Sequence, residues 1–200
     1  MSVKAVDVVL LPDDEVTCKA IEANAELVDK FGRKIVLDKE ICLPHISLAM
    51  GCIDEKDISA VGRILQSAAK EYPPVDLQIS GVESSENSTG EKVSVLKVEK
   101  TEQLQSLHET VMEKLRPYLS YDATADMLYS DEEVAETTLQ WIKNYREKSS
   151  FDKFLPHITI GYGELNSFPL PMNFSASKLA LCHLGNHCTC REVLVSVELC

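Results

Sequence analysis

Two nine-residue stretches of this chain match position by position. Residues 43–51 read Leu-Pro-His-Ile-Ser-Leu-Ala-Met-Gly, and residues 155–163 read Leu-Pro-His-Ile-Thr-Ile-Gly-Tyr-Gly. Each sets a His, an apolar residue and a hydroxyl residue in succession, and each ends in Gly six positions after the His. An imidazole titrates near neutrality, so at a shared site one ring can be neutral while the other holds a proton. That equipment suits acid–base attack on a phosphodiester. The neutral ring takes a proton from water or a ribose hydroxyl, and the imidazolium protonates the leaving oxygen. Ser47 and Thr159 donate hydrogen bonds to the non-bridging oxygens. Metal ligation is the other use of two histidines. It needs further ligands, and neither His45 nor His157 has a His or carboxylate two or four positions on. The expectation is chemistry with no metal and no cofactor.

Both stretches follow a Pro and are rich in apolar and β-branched residues, which predicts strands. Side chains alternate faces along a strand. His45, Ser47 and Ala49 then share one face, and His157, Thr159 and Gly161 share the corresponding face of the second copy. Ile46, Leu48 and Met50, and likewise Ile158, Ile160 and Tyr162, point the other way into a core. On this parity Tyr162 is aimed away from the histidine row. The two histidines should bracket one phosphate in a common cleft.

The elements around them follow from periodicity and punctuation. A strand is predicted over residues 3–10. A helix then opens at Pro12-Asp13-Asp14-Glu15, buries Ile21, Ala25, Val28 and Phe31, and stops at Gly32. A short strand covers residues 35–37. Residues 54–72 form a second helix with Ile58, Val61, Ile64, Leu65 and Ala68 on one side, ended by Pro73-Pro74. Residues 75–84 and 92–100 read as a hairpin. Residues 101–116 form a third helix, with Leu104, Leu107, Val111 and Leu115 inward and His108 at the boundary. Residues 131–146 form a fourth, burying Val134, Leu139, Trp141 and Ile142, with a solvated acidic start over 131–136. Residues 120–129 are a mobile connection. A last hairpin, residues 177–184 and 191–199, turns at Gly185-Asn186. Hairpin-joined strands with helices predict an α+β class of antiparallel sheets, arranged as two similar lobes about a cleft. Residues 1–200 then form a single domain made of two lobes.

A net charge of −12 argues against tracking long nucleic acid, which needs cations to neutralise phosphates. The partner expected is a nucleotide or short oligonucleotide, with no membrane and a monomeric chain. The N-terminal run is too short and too charged for a membrane span, and it lacks a signal-peptide pattern. The seven cysteines are an odd and scattered set, read as reduced thiols in a cytoplasmic protein. The run from Cys182 through His183 and His187 to Cys190 matches no usual zinc spacing and reads as a structural hairpin. Arg33, Lys34, Arg63 and Arg191 are unranked candidates for phosphate charge, and Tyr129 and Trp141 for stacking on a base.

The His-apolar-Ser/Thr-apolar pair, one in each half of a chain of this length, resembles the 2H phosphoesterase superfamily, which includes 2′-5′ RNA ligase-like proteins and cyclic phosphodiesterases. The resemblance spans essentially the whole chain. It implies a bilobal α+β fold with a pseudo-twofold axis through the cleft. It makes His45 and His157 the catalytic pair, and Ser47 and Thr159 the phosphate-binding residues. The activity implied is metal-independent hydrolysis of a 2′,3′-cyclic phosphate or a 2′-5′ phosphodiester. The rivals are 2′-5′ RNA ligation and a nucleotide-phosphate binding module without turnover.

Overall fold

The computed structural model describes residues 2–87, 89–129 and 133–200. Strand β1 (Val3–Leu11) leads into helix α1 (Asp14–Phe31) and then β2 (Ile46–Asp54). Helix α2 (Ile58–Ala69) precedes the hairpin of β3 (Val75–Glu86) and β4 (Lys92–Val98). Helices α3 (Glu102–Leu115) and α4 (Glu136–Lys148) come next, followed by β5 (His157–Tyr162), β6 (Met172–Ala176), β7 (Lys178–Leu184) and β8 (Cys190–Glu198). The strands form two antiparallel four-stranded sheets, ordered β2-β1-β7-β8 and β5-β4-β3-β6. This is the expected α+β arrangement of two lobes. Each repeat ends up on an edge strand, one per sheet, and the two edges β2 and β5 approach each other.

Local chemistry explains the element ends. Asp13 caps α1 by accepting from the Val16 amide at 2.9 Å, and Thr101 caps α3 by accepting from Leu104. Caps of this kind are each worth about 1 kcal/mol. One set of buried apolar side chains draws on both sheets, including Val8, Leu48 and Leu181 from the first and Ile79, Leu96 and Ile158 from the second. A smaller cluster of Val9, Ala180, Cys182 and Cys190 lies apart from it.

Several local expectations are corrected. The buried face of α1 is Val16, Ala20, Ala23, Asn24 and Leu27, while Ala25 and Phe31 are exposed. The polar residue in that stripe is why an apolar count misplaces it. Asn24 Nδ2 donates to Ile35 O (3.1 Å) and Ile160 O (2.7 Å), and its Oδ1 accepts from Leu37 N (2.8 Å). This amide replaces a strand ladder, so residues 35–37 alternate in burial like a strand without being one. Helix α4 starts at Glu136, and Trp141 is half exposed while Thr138, Ile142 and Tyr145 are buried. Asp131 and Glu132 lie outside the described residues. Residues 120–129 are tied down by a two-bond bridge between Ser120 and Cys52 and by Tyr129 N donating to Leu184 O. His108 is fully buried, not at a boundary.

The cysteines also differ from expectation. Cys182 and Cys190 form a disulfide across β7 and β8, and Cys18, Cys42, Cys52, Cys188 and Cys200 are free. No helix among the described residues is long and apolar enough to cross a membrane.

Candidate active site

Each Leu-Pro-His unit builds the same small clamp. His45 Nδ1 lies 2.7 Å from Leu43 O, and His157 Nδ1 lies 2.8 Å from Leu155 O. A carbonyl can only accept, so Nδ1 carries the hydrogen in both rings. Nε2 is then the nitrogen left to gain or lose a proton. The Pro between Leu and His is buried in both copies; it holds the Leu extended, with its carbonyl within reach of the ring two residues on. The sequence pattern had drawn attention to the His and the hydroxyl, yet the Leu-Pro half of the repeat fixes the tautomer.

The two rings lie close enough for charge on His157 to oppose charge on His45. Burial lowers the pKa of His45, the Leu43 carbonyl works against that, and His157 adds to it. His157 is lowered by burial, with the Leu155 carbonyl and the Glu83 carboxylate pulling upward. Mutual repulsion in a poorly solvated place favours one proton shared by two rings over two protons.

The repeat extends to a defect in the backbone. In β2 the register passes from Ser47 opposite Val9 to Ala49 opposite Val8, leaving Leu48 as an extra residue. In β5 it passes from Thr159 opposite Val95 to Gly161 opposite Ser94, leaving Ile160 extra. Both are β-bulges at the third position after the His, and a bulge reverses the facing of everything beyond it. Tyr162 pairs with Val93, Thr159 with Val95 and His157 with Lys97, so all three stand on one face. The expectation that Tyr162 points away from the histidine row is therefore corrected. Its hydroxyl lies 3.0 Å from His187 Nδ1, and Lys34 Nζ sits 4.7 Å over its ring. The closing Gly of each repeat serves close approach. A Cβ on Gly51 would sit 3.0 Å from Ser120 O, and one on Gly163, at φ +111°, 2.1 Å from the Phe31 ring.

The same rows show what surrounds the pair. Beside His157 run Lys97 and Gly81, and beside Thr159 run Val95 and Glu83, with Lys97 Nζ 3.1 Å from Glu83. Beside Ser47 run Val9 and Ala180, and beside Met50 run Asp7 and Cys182. One lobe thus presents a charged, exposed wall and the other an apolar one interrupted by Asp7. Asp7 is fully buried, with Oδ2 4.0 Å from His45 Nε2. Neither carboxyl oxygen has a partner with good hydrogen-bond geometry, although the Ser47 hydroxyl and Ala49 amide face it. Burial raises its pKa to about 7, against which those two groups act. Asp7 was legible as a lone carboxylate in an apolar strand.

Other candidates fall elsewhere. Arg63 is exposed on α2, which packs behind β7 and β8. Arg33 is exposed just past α1, and the Arg191 side chain lies against Gly185. Tyr129 meets His183 edge-on at 5.6 Å. Among the described residues no group of three or more His, Cys, Asp or Glu is placed to hold a metal ion, and the Cys/His run at 182–190 is divided between a disulfide and separate contacts of His183 and His187.

The family model of the 2′-5′ RNA ligase superfamily matches residues 42–169, which include both repeats. No curated protein sequence matches the chain. Among solved structures, TT0787 of Thermus thermophilus aligns over 98% of this chain and 97% of its own, with a TM-score of 0.63 at 19% identity. E. coli LigT complexed with 3′-AMP aligns over 99% of both chains (TM-score 0.53, 13% identity). LigT complexed with ATP aligns over 100% of this chain and 99% of its own (TM-score 0.54, 12% identity). At these identities the likeness is one of fold.

Proposed function

This chain belongs to the 2′-5′ RNA ligase superfamily, and from that premise we propose that it is a two-histidine phosphoesterase acting on a nucleotide or short oligonucleotide. The reaction is hydrolysis of a 2′,3′-cyclic phosphate or a 2′-5′ phosphodiester. One Nε2 accepts the proton of the attacking water, the new P–O bond forms, and the leaving ribose oxygen takes the proton held on the other Nε2. Ser47 and Thr159 donate to the non-bridging oxygens, where charge builds up. Each lobe supplies one histidine and one hydroxyl, so residues 1–200 act as a single domain. The observation that carries this reading is the paired Nδ1-to-carbonyl clamp, which leaves both Nε2 atoms free for protons at neighbouring strand edges.

A small nucleotide suits the net charge of −12, since long nucleic acid would be repelled. LigT, a fold relative, is complexed with 3′-AMP in one structure and ATP in another. Hydrolysis is favoured over the reverse end-joining because water is in excess. The test is a panel of 2′,3′-cyclic nucleotides and 2′-5′ dinucleotides incubated with excess chelator. Product release that His45→Ala and His157→Ala each abolish is expected. Ligand-induced thermal stabilisation with no product would replace this reading with a binding module.

A further inference from the structure

The two histidine clamps are built alike but anchored differently. In each, a leucine carbonyl meets the ring at Nδ1. Leu155 is 75% exposed, and its clamp is tied to β4 through the next carbonyl, Pro156 O, which accepts from Val98 N at 3.1 Å. Leu43 is partly buried, and its side chain packs against the cluster of Val9, Ala180, Cys182 and Cys190. Its amide donates to Cys190 O at 3.2 Å. Cys190 is in turn bonded to Cys182. A chain of contacts therefore runs from the disulfide through Cys190 O and Leu43 to His45 Nδ1, and the second lobe has no counterpart to it. Resting on the two-histidine reading above, we propose that Cys182 and Cys190 are positioning residues: their oxidation to a disulfide locks the His45 clamp, and the open dithiol leaves that clamp loose.

The strands that carry the two cysteines need such a tie. The register of β7 and β8 passes from Leu181 opposite Val195 to Cys182 opposite Val193, leaving Leu194 extra. It passes again from His183 opposite Glu192 to Leu184 opposite Cys190, leaving Arg191 extra. Two bulges this close disrupt the hydrogen-bonded ladder, and the covalent bond spans both of them. The turn beyond has its own anchors, since Asn186 Oδ1 accepts from Ala135 N and from the Thr138 hydroxyl. Losing the disulfide therefore frees the Cys190 backbone and leaves the turn in place. Cys182 and Cys190 are 0% and 1% exposed, so a thiol in solvent reaches the bond only after local opening. The bond is set as the chain folds and is not toggled in each turnover. Cys188, two residues before Cys190, does not compete for it: burial pushes its thiol up and keeps it protonated, whereas the thiolate is the attacking form. Formation is an exchange with a small-molecule disulfide such as oxidised glutathione. Each cysteine thiol gives up its proton and the two sulfurs join. The small disulfide takes up both protons and both electrons and leaves as two thiols.

The test is ring-resolved NMR of the whole chain, read without substrate. The protein is first equilibrated with oxidised glutathione, after which five of its seven cysteines should react as free thiols in denaturant. In that protein both rings should show a single tautomer with hydrogen on Nδ1. In the double variant Cys182→Ala, Cys190→Ala the His45 ring should move to an average of the two tautomers, and the Leu43 amide should exchange about tenfold faster or more. His157, whose clamp is tied to β4, should keep its signals, which a general loosening of the fold would not allow. With substrate, kcat should fall by roughly three- to tenfold, the scale of one hydrogen bond, with KM little changed. Should the double variant not fold, Leu43→Ala keeps the disulfide and removes the side chain that rests on it, and the same His45 signals should move. Seven reactive thiols after equilibration, an unmoved His45 ring in whichever of these variants folds, or an equal change at both histidines overturns the proposal. Absence of turnover in the native protein would instead overturn the two-histidine reading and leave these ring signals interpretable.

Discussion

Replacing His108 with Phe should make the stability of this protein less sensitive to acid, and the size of the effect follows from its contacts. His108 Nδ1 lies 2.7 Å from Leu48 O, and its Nε2 accepts from Phe151 N at 2.8 Å. The ring stacks on Phe154 at 4.0 Å between centroids. One nitrogen must donate and the other accept, so only the neutral ring with hydrogen on Nδ1 satisfies both. A second proton would meet the Phe151 N–H head-on. Burial pushes this imidazole from the ordinary 6.5 down to about 4. The folded form thus binds a proton less readily than the unfolded chain. The contribution is intact above about pH 6.5 and drains away as pH falls toward 4. Linkage puts the loss at about 1.4 kcal/mol by pH 5.5 and about 2 kcal/mol by pH 5. His108→Phe leaves Leu48 O and Phe151 N–H unpaired, costing about 3 kcal/mol at pH 7, yet it has nothing to titrate. Urea unfolding of both proteins at pH 7 and pH 5 should show the gap between them closing from about 3 to about 1 kcal/mol. The comparison cancels His45 and His157, which are also lowered by burial. A gap that stays constant across this range would refute the neutral, single-tautomer assignment of His108.

Three further outcomes are expected. His45→Ala and His157→Ala should each lower kcat by about 10²–10⁴-fold, with the double variant little worse, because the rings act as a unit; full activity in either single variant would remove that histidine from the chemistry. The pH–rate profile should be bell-shaped, with its acid limb below the ordinary imidazole value because burial lowers both rings, and it should be unchanged by chelator; Ser47→Ala and Thr159→Val should lower the height of this bell far more than they shift its limbs. Asn24→Leu should lose about 3 kcal/mol or more in denaturant unfolding, since Ile35 O, Ile160 O and Leu37 N all lose their partner; a loss under about 1 kcal/mol would show that those groups find other partners.

The repeats were legible because their chemistry is local: a Pro, a ring and a hydroxyl at fixed spacing on an extended chain. Everything depending on a second strand was harder to read. Nothing in residues 157–163 alone shows that Ile160 is extra in the ladder, so strict alternation placed Tyr162 on the wrong face. Asn24 fills a stripe position that apolar counting assigns to its neighbours, because its value lies in three carbonyl and amide partners far along the chain. His108 looked marginal for the same reason: its partners Leu48 and Phe151 belong to other elements. β6, five residues long and flanked by Pro171, carries too little pattern to be seen. The disulfide between Cys182 and Cys190 runs across the register of β7 and β8, which sets Cys182 opposite Val193 and Cys190 opposite Leu184, and a count of cysteines contains none of this.

Two sheets of four strands leave four unpaired borders, and such borders invite other chains to add on. Here β2 and β5 turn theirs toward one another, and β2 is further occupied by Ser120 at Cys52. That leaves β6 and β8 to face outward. β6 is only five residues long, while β8 runs for nine, with Arg191, Glu192 and Glu198 at its ends, the uncharged stretch 193–197 between them and Leu43 bridged to Cys190 at its start. The short β6 is a poor template for a foreign strand, and the charges of β8 guard only its ends. The arrangement that brings the two histidines together therefore also turns two of the four borders toward each other and away from foreign strands.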